Sequence, residues 1–149
     1  MRKLDQRGVA AFEFILVAVA FFTLVYVIFD LGRYAITMQS LRALANAGAR
    51  GMMICCYTPV KTGSIPPNPP CGTGTVPTSP SGCTGSYLST ARMQGVAPFL
   101  YAGGLTPTLA ITAGTSALTV TASEPGFTML MSIWGTALNA PSASIQVPF

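Results

Sequence analysis

The sequence predicts an α+β protein: a long N-terminal transmembrane helix followed by a small exported domain with antiparallel β-strands. Three observations carry that prediction. An uncharged run from Phe14 to Phe29 follows a short basic tail. Helical spacing of apolar residues continues beyond that run, at Met38, Leu41, Ala45 and Ala49. Three Thr/Val/Ile-rich stretches, bounded by turn residues, lie toward the C-terminus.

Composition agrees with a membrane-bound chain. Of 149 residues, 50% are hydrophobic and 8% charged, and the mean hydropathy is +0.54. Soluble domains carry about 25% charged residues. The basic residues are scattered, with no stripe and no aromatic interleaving, so the net charge of +4 does not mark a nucleic-acid surface. Histidine is absent, which removes Ser-His-Asp and Cys-His pairs and most zinc sites. The acids are Asp5, Glu13, Asp30 and Glu124, and only the last lies beyond residue 30, so no carboxylate pair can form distally. No phosphate-binding Gly-rich loop occurs. The inventory therefore argues against an enzyme, a cofactor, a metal or a small-molecule substrate.

Residues 1–8 read as a cytoplasmic leader and 9–31 as the transmembrane helix. About 20 apolar residues, at about 1.5 Å each, cross the bilayer core of about 30 Å. The tail "MRKLDQRG" carries three basic groups and one acid, which keeps the N-terminus cytoplasmic and exports the rest. A cleaved secretory signal is one alternative, but the apolar run is longer than such signals use and ends in "IFDLGRY", a poor cleavage site. A plain signal anchor, as in an envelope protein or adhesin, is another. Glu13 is the unusual feature. A carboxylate in the membrane costs about 2.5–3.5 kcal/mol on insertion scales. It therefore needs either a partner or a route to the headgroups. Asp30 and Arg33, three apart near the exported end, face each other on a helix and read as an ion pair at the membrane boundary.

The order of basic tail, Gly8, small apolar residues, Glu13 and apolar run resembles the class III signal of type IV pilin-like proteins. That resemblance places peptidase cleavage between Gly8 and Val9, on the cytoplasmic side. Glu13 becomes the fifth mature residue, able to pair with the new Val9 amine of a neighbouring subunit and set the axial register. The likeness extends through Arg7-Gly8, Glu13-Phe14, Asp30-x-Gly32-Arg33 and "ALANAGARG". Over this first third, the chain resembles the TadE-like family, pseudopilins or minor pilins of tight-adherence (Flp-type) pilus systems. The resemblance implies processing by a prepilin peptidase. It also implies residence in the bacterial inner membrane, with other pilus subunits and the assembly platform as partners alongside the lipid bilayer.

A helical extension is predicted over 32–54, giving a helix over 9–53 of about 65–70 Å. Arg42, Asn46 and Arg50 recur on a second face. The small residues of "ALANAGARG" suit close packing, either on the chain's own domain or between subunits. Gly48 and Gly51 weaken the helix, and Gly51 is a candidate terminator. Residues 55–86 read as a loop: seven prolines between 57 and 86 forbid a helix. Cys55, Cys56, Cys71 and Cys83 lie in it or at its base, and on the exported side disulfides are expected. With the vicinal bond set aside as strained, two connectivities remain. They are Cys55–Cys71 with Cys56–Cys83, or Cys55–Cys83 with Cys56–Cys71. A metal site is disfavoured, because C-x₂-C spacing is missing.

The exported α+β domain covers 87–149. It opens with a helix from about Ser86 to Tyr101, into which Pro98 cuts. Strands follow at 108–114, 117–123 and 143–149, the first two forming a hairpin that turns at Gly114. The apolar stretch 126–138 reads either as a short helix under the sheet or as a patch facing a membrane or a partner. At 13 residues it is too short for a second span.

Overall fold

A computed structural model describes residues 7–63, 82–83, 87–114, 116–131 and 135–148. Helix α1, Arg7–Met52, runs without a break through both the apolar segment and the extension. It is continued by a π-helical segment, Met53–Tyr57, and by the short helix α2, Thr58–Thr62.

Neither Gly51 nor Pro59 stops the helical path, so the boundary expected near residue 54 moves to Thr62. A proline inside an α-helix removes one backbone donor and crowds the carbonyl four residues before it. The chain answers with a wider π turn immediately upstream. There the Thr58 N–H donates to the Met53 carbonyl, and the Thr58 hydroxyl donates to the same oxygen at 2.8 Å. Pro59 then sits in the first turn of α2, where a missing donor costs little. Termination falls to Gly63, whose φ of 66° is left-handed and whose N–H closes on the Pro59 carbonyl at 2.8 Å.

The helix predicted over 86–101 is two short ones, α3 (Thr90–Val96) and α4 (Pro98–Ala102). Ser89 caps α3, its Oγ accepting from the Arg92 N–H at 3.4 Å. Pro98 forces the break at Ala97 and opens α4.

Strands β1 (Thr108–Ala113), β2 (Ala117–Ser123) and β3 (Ser142–Pro148) form an antiparallel sheet in chain order, with Ile111 opposite Val120 and Val120 opposite Ile145. Gly114 closes the β1–β2 hairpin, donating to the Ala117 carbonyl at 2.8 Å. Leu118, Val120 and Ala122 alternate along β2 onto the buried face.

That face packs on the extension of α1. Leu41, Leu44 and Ala45 meet Leu100, Ala122 and Ala143 in one cluster. Ala49, Met52 and Cys56 meet Ile111, Leu118 and Val120 in the next. Gly48 lies between the two groups. A Cβ there would stand 2.7 Å from Leu109 Cδ2 and 3.2 Å from Val120 Cγ1, so the missing side chain lets the sheet approach the helix. Its role is close packing on the chain's own domain, one of the two readings the small-residue stretch allows.

Candidate functional site

The part of the molecule with a special environment is α1 up to the edge of the domain. Along residues 10–29 nearly every large apolar side chain is exposed, Phe14 at 73% and Phe29 at 66% among them. Only 6% of the most apolar window is buried within the molecule. A surface of this kind on 20 residues matches the bilayer core in length and in chemistry. Domain contacts begin abruptly at Asp30, which is 1% exposed.

Gly8 and Val9 fall in the first turn of α1, and their side chains lie outside the described set. Glu13 follows one turn later, exposed in a wholly apolar neighbourhood. Gly8, Val9 and this acid therefore share one helical segment at the N-terminal end of the run.

Asp30 and Arg33 do meet. Arg33 Nη1 lies 3.7 Å from Asp30 Oδ1, with the arginine half exposed and the aspartate buried. The larger role of Asp30 was not legible in the sequence. Its Oδ1 accepts the Leu130 N–H at 3.2 Å, and its Oδ2 accepts the Met131 N–H at 3.0 Å. A carboxylate one hundred residues upstream thus ties the β2–β3 loop to the membrane end of the helix. Bonds of this type, with an ionised acceptor, are the stronger class. Arg33 also stacks 5.5 Å over the ring of Phe127, and Tyr34 lies 6.2 Å from the same ring.

The described part of stretch 126–138 is turns and irregular backbone, which corrects the expectation of a short helix. Side chains and carbonyls hold it in place of a helical ladder. Asn139 Oδ1 accepts from the Met129 N–H at 3.0 Å, and the Phe127 carbonyl accepts from the Ala140 N–H at 3.0 Å. Phe127 is buried, whereas Leu130 stands 72% exposed.

Glu124 is a second feature missed in the sequence. It is fully buried; Oε1 accepts from the Gly126 N–H at 3.0 Å, and Oε2 has no partner among the described residues. Burial, and after it the Glu124 carboxylate, push the Tyr101 hydroxyl above its ordinary pKa of 10.0.

At the far end of α1, Cys56 is bonded to Cys83 with Cα atoms 5.8 Å apart. This pair belongs to the first of the two expected connectivities. Cys55 is disulfide-bonded as well, and Cys71 lies outside the described residues. The π turn places the two adjacent cysteines, both buried, at the rim of the sheet. Among the described residues no group of three or more His, Cys, Asp or Glu could hold a metal ion.

No curated protein and no solved structure matches the chain. A family model does match, and its extent coincides with the helix just described. From Gly8 through the membrane run, the Asp30–Arg33 boundary and the small-residue face, residues 8–50 match the model of the TadE-like protein family.

Proposed function

We propose that the protein is a minor pilin or pseudopilin that takes part in assembling a Tad/Flp-type pilus. It works by assembly and not by turnover. The observation that carries this reading is the division of one helix. Residues 10–29 offer a bare apolar surface, the exported domain packs only on later residues, and the helix lies where the TadE-like model matches. A subunit built this way is stored in the bilayer by its first half and leaves it when an assembly of like helices replaces lipid.

In this reading a prepilin peptidase cuts between Gly8 and Val9 and leaves the apolar run attached. Glu13 then pairs with the Val9 amine of a neighbour, which removes the cost of an isolated carboxylate in the membrane and fixes the axial register. The leader is cytoplasmic, the domain exported from the bacterial inner membrane, and its partners are other pilus subunits and the assembly platform.

Mass spectrometry of the N-terminus of protein from native membranes tests this. A chain that begins at Val9, with processing lost in Gly8→Leu and incorporation into pili lost in Glu13→Ala, supports it. A chain that begins at Met1 and is indifferent to both substitutions is a plain signal anchor.

A further inference from the structure

The β2–β3 loop ends in an exposed leucine at a place where the rest of the molecule fixes its height. Leu130 and Met131 donate their N–H groups to Asp30, the residue after the last of the bare apolar run. Side chains on a helix lean toward its N-terminus, so the Asp30 carboxylate reaches back to the level of Phe29. The loop tip bonded to it therefore stands at the exported edge of the run. If residues 10–29 span the bilayer core, water is not what Leu130 faces.

Two further apolar side chains stand exposed near Arg33. Phe99 is 72% and Ile36 49% exposed, and they share a shallow depression with Arg33 and Phe127. Arg33 lies about one helical turn, about 6 Å, above Phe29, within the headgroup zone, and Ile36 lies almost a turn further out. Arg33 is half exposed there, so that its guanidinium, although it lies beside Asp30 and over Phe127, keeps an open side toward phosphate. An apolar side chain at the edge of the run and one cation at phosphate height are the pattern of a lipid interface.

We propose that the β2–β3 loop is a second membrane contact: Leu130 seats in the headgroup–acyl boundary of the exported leaflet, and Arg33 meets the phosphates. The Asp30 tether makes the contact rigid, so the domain is held at a fixed height and rotation over the membrane. The inference rests on the membrane span of α1 and not on the pilus role.

The test is tryptophan fluorescence of the full chain in phosphatidylcholine proteoliposomes, with lipids brominated near the headgroup end of the acyl chain. Trp134→Phe removes the natural tryptophan. Single tryptophans are then placed by Leu130→Trp, by Leu24→Trp within the run, and by Gln146→Trp on exposed β3. Circular dichroism and intact disulfides confirm that each variant folds. The expected result is blue-shifted emission at positions 130 and 24, strongly quenched by the brominated lipid, and water-like, unquenched emission at position 146. Quenching at 24 with water-like emission at 130 overturns the loop contact and leaves the span intact. Blue-shifted but unquenched emission at 130 also overturns it, in favour of a second copy of the chain or another protein on the loop. Absence of quenching at 24 removes the span itself, and quenching at 146 overturns the upright geometry.

Discussion

Asp30 joins two distant parts of the chain through two hydrogen bonds, and its charge matters for both. The Leu130 and Met131 amides donate to it from part-buried positions. Replacing the carboxylate strands these donors, at about 1.5–3 kcal/mol for a bond to a charged group. Asp30→Ala should therefore destabilise the domain by about 3 kcal/mol, and amide exchange over 127–131 should accelerate more than exchange in β2. Asp30→Asn keeps one acceptor and should lie between. Equal acceleration across the domain would mean that Asp30 is not a local tether. Tyr101 offers a second residue-scale check. Its pKa is raised by burial first and by Glu124 second. The folded state thus favours the neutral phenol, a contribution fully present below pH 10 and lost as pH rises through the folded value. Glu124→Gln should lower the Tyr101 titration midpoint toward 10, read from its ring carbon in NMR. An unchanged midpoint would leave burial as the whole cause.

At the scale of elements, the join between helix and loop is the informative one. Proline content predicted a loop from residue 55, and for the described residues up to Thr62 the backbone is helical instead. Proline counts speak to a segment as a whole, whereas Pro59 is one residue in the permitted first turn of α2. The apolar run, the three strands and the hairpin at Gly114 were legible, because each follows from periodicity and turn chemistry alone; the pairing of β3 with β2 was not. The tether was not, since a pairing across one hundred residues leaves no local pattern. Close packing at the small-residue stretch was legible, but its partners at Gly48, Leu109 and Val120, were not. Gly48→Leu should destabilise by about 1–3 kcal/mol through overpacking, measured by urea unfolding in detergent. The Cys56–Cys83 bond closes a segment of 27 residues onto the end of that helix. Chain entropy gives such a loop about 3.5 kcal/mol. Cys56→Ser with Cys83→Ser should lower stability by about that amount, and the loss should be felt in the Met52–Leu118 cluster before the Leu41–Leu100 cluster.

For the whole molecule, one continuous helix serves two solvents. Its first half exposes its large apolar side chains, and its second half supplies the helical side of both core clusters. Both core clusters draw from Leu41 onward, and the tether draws from Asp30. The apolar run therefore contributes little to the stability of the α+β domain. A chain shortened to residues 28–149 should fold in water with both disulfides formed and unfold cooperatively. Its midpoint should lie close to that of the intact chain in detergent. The exposed Leu130 predicts a further property. Without its membrane segment, the shortened chain should still adsorb weakly to vesicles, and Leu130→Asp should abolish that adsorption without lowering the unfolding midpoint. A shortened chain that fails to fold would mean that the lipid-facing half stabilises the domain after all. The separation of one helix into an anchor and a core element would then be wrong.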